Sequence, residues 1–179
     1  MGRIKEPVAV KLIIGLIFKE ESSCERAKTI LQKCFGKIDF ESQTLNFAHT
    51  GYYKDEFGAN LKRRFISFNK LLASQDLSKI KIITNEVEEK LSSANRRLIN
   101  IDPGYLDLAK LILASSKDHK HRIHLNKGIY AEVTLFYQDK TFRPWEWTYP
   151  DYKTNEYITI FNRIREIYAC QIKKKEEKK

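Results

Sequence analysis

Arg122, His124, Tyr130, Glu132 and Thr134 alternate with Ile123, Leu125, Ile129, Ala131 and Val133 on either side of Asn126-Lys127-Gly128. Successive side chains of a strand point to opposite faces, so this alternation predicts a β-hairpin with one apolar and one polar face. The expected register sets Leu125 against Ile129, His124 against Tyr130, Ile123 against Ala131 and Arg122 against Glu132. A guanidinium oriented by a cross-strand carboxylate, beside a hydroxyl and an imidazole, is an arrangement that binds anions. On a solvated face the same ion pair would contribute only about 0.2–1 kcal/mol.

Asp102 precedes Pro103 and Gly104 at the end of a predicted strand. Proline second and glycine third match a type II turn, with Asp102 either accepting turn N–H bonds or holding a ligand hydroxyl or cation. Tyr105 follows directly. The segment 144–152 holds Trp145, Trp147, Tyr149 and Tyr152, with Asp151 among them. Its rings could stack on bases, or strap a helix to a sheet through their apolar area. The candidate ligand-binding set is therefore Asp102, Tyr105, His121, Arg122, Tyr130, Glu132, Trp147 and Asp151. No catalytic residue or cofactor is assigned.

Metal chemistry has little support in the pattern. His119 and His121 share one face of a strand while His124 takes the other, so the three cannot converge without a kink. His49-Thr50 lacks the two-residue spacing that phosphoesterases with paired His-x-Thr motifs require, and no glycine-rich P-loop is present.

The elements that must position these groups begin with residues 8–18, an almost continuously apolar, β-branched run expected as a central strand. Ser22-Ser23-Cys24-Glu25 reads as a capping box opening a helix through Ala27, Ile30, Leu31 and Cys34, closed by Gly36. A strand with one wet face is expected over 38–47, and another over 64–68. Asp76 is expected to cap a helix striped by Leu77, Ile80, Thr84, Val87 and Leu91, before a strand at 97–102. Residues 111–115 fit strand or helix. Tyr157, Ile160, Phe161, Ile164 and Tyr168 mark a closing helix that frays into a lysine tail. The order implies an α+β fold: a ferredoxin-like β-α-β-β-α-β core extended by the hairpin and the closing helix. A single domain is expected over 1–172, with a disordered lysine-rich tail over 173–179.

The 179 residues suit one hydrophobic core, and 42% hydrophobic against 31% charged residues exclude a membrane bundle and an acidic disordered chain. The net charge of +10 favours anionic partners such as nucleotides or RNA. Three cysteines without paired spacing, and an apolar run at 12–18 too short to span a bilayer, point to a cytoplasmic protein with no membrane partner.

Four stretches together resemble a prokaryotic family of unknown function, the domain numbered 4416. They are Asn100-Ile101-Asp102-Pro103-Gly104-Tyr105-Leu106, Lys117-Asp118 with His121-Arg122-Ile123, the run 128–135, and Trp147-Thr148-Tyr149-Pro150-Asp151-Tyr152. The strand near Pro7 to Gly15 and the loop 47–53 extend the likeness to nearly full length. The resemblance implies a small cytoplasmic bacterial or archaeal protein, and some members carry a GTP-binding label. This chain departs from the family pattern at Gly51, where an aspartate is common, and at His124, where tyrosine is expected. The function expected is binding of a phosphate-bearing ligand, a nucleotide or RNA segment, in a polar pocket. The alternatives are a metal-dependent hydrolase or transferase using Asp and Glu, and a non-catalytic RNA- or protein-binding module.

Overall fold

A computed structural model describes residues 2–47, 60–93 and 96–177. His49, Thr50 and the loop 50–53 lie outside the described residues. The fold is α+β: a nine-stranded antiparallel sheet with three α-helices among the described residues.

In chain order the elements are β1 (Val10–Phe18), α1 (Glu21–Phe35), β2 (Ile38–Glu41), β3 (Leu45–Phe47), β4 (Leu61–Leu72) and α2 (Leu77–Lys90). There follow β5 (Ile99–Leu106), β6 (Lys110–Ser115), β7 (Ile123–Asn126), β8 (Ile129–Gln138), β9 (Thr141–Pro144) and α3 (Asn155–Glu176). The sheet runs β2-β4-β1-β5-β6-β8-β7, with β3 added to β4 and β9 to β8. β1 is buried along its whole length because helices cover both of its faces. Leu12, Ile14, Leu16 and Phe18 pack with Cys24, Ala27 and Leu31 of α1 and Ile80 and Val87 of α2. On the opposite face Ile13 joins Phe65 beneath Tyr157, Phe161, Ile164 and Tyr168 of α3. Each such side chain, fully buried, contributes roughly 1.5–3 kcal/mol. No helix among the described residues is long and apolar enough to cross a membrane.

Several local expectations are corrected. The capping box does not form: α1 starts at Glu21, and its first turn closes through Ser23 N–H donating to Glu20 O. Glu25 instead pairs with Lys28 and Arg64. Asp76 lies in a short 3₁₀ turn and makes no side-chain cap bond to α2. The expected strand 38–47 breaks in two at Ser42, whose Oγ takes the Phe65 N–H at 3.0 Å. Of the two alternatives for residues 111–115 the strand is the one that forms, as part of β6. α3 extends through residues 173–176.

The hairpin closes one residue tighter than expected. Lys127 and Gly128 both have positive φ (50° and 72°), the requirement of a two-residue turn, so Asn126 opposes Ile129. A bulge at Leu125 absorbs the extra residue, and the expected pairs Ile123–Ala131 and His124–Tyr130 are kept. Ile123 and Leu125 are exposed, while Glu132 and Thr134 of the polar face are buried.

Asp102-Pro103-Gly104 is not a turn. β5 continues straight through it, paired to β1 from Ile99 to Leu106. β6 pairs with β5 only at Gly104–Leu113, Tyr105–Ile112 and Leu106–Leu111, then stays with β8 and leaves β5 behind. The sheet therefore forks. Gly104 stands where the prongs meet: a Cβ there would lie 2.3 Å from the Ile112 carbonyl oxygen. At the separated edge the Ile101 N–H donates to Glu88 and the Ile101 C=O accepts from Lys81. Two residues on, the same edge reaches Pro103, which has no N–H to leave unpaired.

Candidate functional site

The fork opens a cleft of about 470 Å³. Asn100 and Asp102 of β5 form one wall; Ser115, Lys117, Arg122 and Glu132 form the other. α2 contributes Lys81 and Glu88 from one side of the sheet. Arg63 of β4, with Tyr149, Asp151 and Tyr152, enters from the other.

Arg63 lies at the centre of the charge distribution and is 1% exposed. Its Nη1 donates to Asp102 at 3.1 Å and its Nη2 to the Tyr152 hydroxyl at 2.8 Å. Its Cζ lies 4.9 Å from the Phe65 ring centroid and 5.4 Å from that of Tyr152, so aromatic faces stabilise the cation. Gly15 makes room for it: a Cβ there would stand 3.1 Å from the guanidinium. Burial penalises the charge, but Tyr152, Asp102, Tyr157 and Asp151 outweigh that and raise the pKa above the ordinary arginine value. The Arg63 Nε and the Tyr157 hydroxyl are buried without hydrogen-bond partners, as is Asn100 Nδ2 in the cleft wall.

The acids of the cleft diverge. Burial alone would raise Asp102, yet Arg63 and Lys81 hold its carboxyl below the usual range. Burial raises Asp151, and Arg63 only partly offsets it, with Asp102 adding to the rise. Glu88 is raised by burial despite Lys81, the Ile101 N–H and Arg97. Carboxyls driven apart in this way give one site both an ionised acceptor and a group that keeps its proton to higher pH.

Arg122 is held from several directions. Its Nε donates to Glu132 at 2.8 Å, Nη1 to Ser115 Oγ and the Lys117 carbonyl, both at 2.8 Å, and Nη2 to the Tyr149 hydroxyl at 2.7 Å. Glu132 also accepts from Thr134 Oγ1 at 3.1 Å and stands 3.3 Å from His121 Nε2.

Four of the eight candidate residues, Asp102, Arg122, Glu132 and Asp151, line this cleft. His121 and Trp147 stand behind its wall, stacked at 5.7 Å, with the Trp147 N–H on the Val133 carbonyl. Tyr130 packs beside His124 at 5.2 Å. Tyr105 packs with Leu77 and Ile112 on the α2 side of the sheet. Arg63, Lys81, Glu88, Asn100 and Tyr149 were not among the candidates. Two of them carry a legible signal: Lys81 and Glu88 fall four and eleven residues after Leu77, on the buried stripe of α2.

Among the described residues the group of potential metal ligands within 4.8 Å of one another is Glu21, Cys24 and Glu25. Arg64 accounts for it by pairing with both glutamates. Burial pushes the Cys24 thiol up to about 12, so it is protonated at neutral pH. Asp102, Glu132 and Asp151 form no such group.

A family model described as "Domain of unknown function (DUF4416)" matches residues 8–168, from the strand before the first helix to well into the last one. No curated protein and no solved structure matches the chain.

Proposed function

The chain belongs to the DUF4416 family, whose description assigns no activity, and from the cleft we propose that it binds a phosphate-bearing ligand that places a group of nucleotide size in the cleft. Arg63 takes the anion in this proposal. The carrying observation is a fully buried guanidinium that lines the cleft and commits two of its five N–H groups to hydrogen bonds with protein. Arg122, the residue expected to bind the anion, commits its donors to Glu132, Ser115, Lys117 and Tyr149 and so shapes the wall instead. Asp102, held ionised, suits a ligand hydroxyl, and Asn100 offers its Nδ2, while its Oδ1 accepts from Arg97. The volume lies within the range of small-molecule sites.

We also read the β2-β4-β1-β5 half of the sheet, with α1 and α2 on one face, as a ferredoxin-like core. Its strand order and antiparallel pairing support this.

Thermal unfolding against a panel of nucleotides, sugar phosphates and inorganic phosphate tests the site. A ligand at a hundred times its Kd should raise Tm by roughly 5–10 °C in a chain of this length. Arg63→Lys, which keeps the charge without the planar fork, should reduce the shift, and Asp102→Asn should reduce it for hydroxyl-bearing ligands. No shift with any phosphate compound, or equal shifts in Arg63→Lys, would overturn the proposal.

A further inference from the structure

We propose that the phosphate-bearing ligand is the phosphorylated end of a single-stranded nucleic acid, whose following bases stack on a ladder of aromatic rings outside the cleft. This rests on the cleft being an anion site and names the class of molecule that fills it.

The ladder begins at the cleft wall. His121 touches Glu132, stacks on His119 at 5.8 Å and 3°, and stacks on Trp147 at 5.7 Å and 15°. Trp147 stacks on Trp145 at 5.1 Å and 8°, and Trp145 meets Phe136 at 4.5 Å. Tyr149 lines the cleft and belongs to the same strap, its hydroxyl accepting from Arg122, so the strap carries rings both at the mouth and outside it. A purely structural strap would bury its rings. Tyr152, three residues later, is 3% exposed, whereas Trp145 is 37% and Tyr149 43% exposed. Every base has a π-face, so the exposed rings at the two ends of the series, His119 and Trp145, accept unpaired bases without regard to sequence, backed by the rings stacked between them.

Charge favours the same partner. Residues 117–127 hold Lys117, Lys120, Arg122 and Lys127 against Asp118, together with three histidines, and Lys120 and Lys127 are exposed. A cleft of about 470 Å³ admits one nucleotide and excludes a duplex, so the strand must enter by an end.

Trp145 and Trp147 are the two tryptophans of the chain, so fluorescence excited beyond the tyrosine absorption band reports on the ladder alone. The full chain is titrated with the four nucleoside 5′-monophosphates and with octanucleotides of each base, 5′-phosphorylated, 3′-phosphorylated or unphosphorylated. Binding is followed by calorimetry and fluorescence together. A phosphorylated octamer should bind at least tenfold more tightly than its mononucleotide and quench the tryptophans, where the mononucleotide leaves them bright. Trp145→Ala should bring the octamer's affinity down to that of the mononucleotide, and Arg63→Lys should weaken both. Mononucleotide binding with no gain and no quenching for any octamer overturns the strand proposal and leaves the anion site standing. Quenching that is indifferent to the terminal phosphate and to Arg63→Lys overturns the end-on placement. No binding by either class of ligand overturns both readings.

Discussion

Arg122 and Glu132 are each nearly excluded from water and carry opposite charges that neutralise one another, while Ser115, Lys117 and Tyr149 take further donors of Arg122. Removing one partner leaves the other buried and unpaired, which costs about 3–5 kcal/mol, whereas replacing both with apolar groups is close to neutral. Arg122→Ala should therefore lower the unfolding free energy measured in urea by that amount, and Arg122→Met with Glu132→Leu should recover part of it, since Ser115, Tyr149 and Thr134 still lose their partners. A single variant as stable as the double would mean that water reaches the pair. The divergent acids make opposite contributions. Asp102 has a depressed folded pKa, so the unfolded chain binds its proton more tightly. Its stabilisation is complete above the ordinary value of 3.8 and is lost as pH falls through the lower folded value. Asp151 has a raised folded pKa, so its buried carboxyl costs stability at neutral pH, and the cost fades as pH falls toward 3.8. Asp102→Asn should cost roughly 1–3 kcal/mol at pH 7, with the deficit shrinking below pH 4. Asp151→Asn should gain about 1 kcal/mol at pH 7 and lose its advantage on acidification. Urea unfolding across pH separates the two.

At the scale of elements, the fork depends on a missing side chain. Gly104→Ala would drive a methyl group into the Ile112 carbonyl, and such overpacking costs about 1–3 kcal/mol or more. The damage should centre on the β5–β6 junction, seen as faster amide exchange at Ile112 and Leu113 than at Ile14 or Ile66. Pro103-Gly104 shows why part of the architecture was hidden in the sequence. Locally the pair reads as a turn, but its roles here are a proline where the neighbouring strand is absent and a glycine where it comes closest, and both depend on β6. β1 and the stripes of α2 and α3 were legible because burial imposes its period directly on the residues. The Arg122–Glu132 contact was anticipated from strand parity, yet Arg122 lies just before β7 and reaches Glu132 by its side chain rather than as a register partner, and the bulge at Leu125 was not legible, since it follows from the φ of Lys127. Arg63 stayed hidden for a third reason. Beside Lys62 and Arg64 it reads as basic surface, and only the gap left by Gly15 on a neighbouring strand lets it sink into the core.

For the whole molecule, the charge of +10 predicts how binding responds to salt. A strand that neutralises three basic side chains, Arg63, Lys120 and Lys127, should lose affinity with a log–log slope of about −2. A flat response would place the binding energy in the rings rather than the phosphates. Layer by layer, α1 and α2 sit on one side of the sheet and α3 on the other, and the strands of the two prongs are in register over three residue pairs. An occupant gripping Asp102 on one prong and the Ser115–Lys117 stretch on the other would act as a rivet across that hinge. Its arrival would be felt at once in both helical layers, so filling one small gap would tie together the opposite sides of the protein.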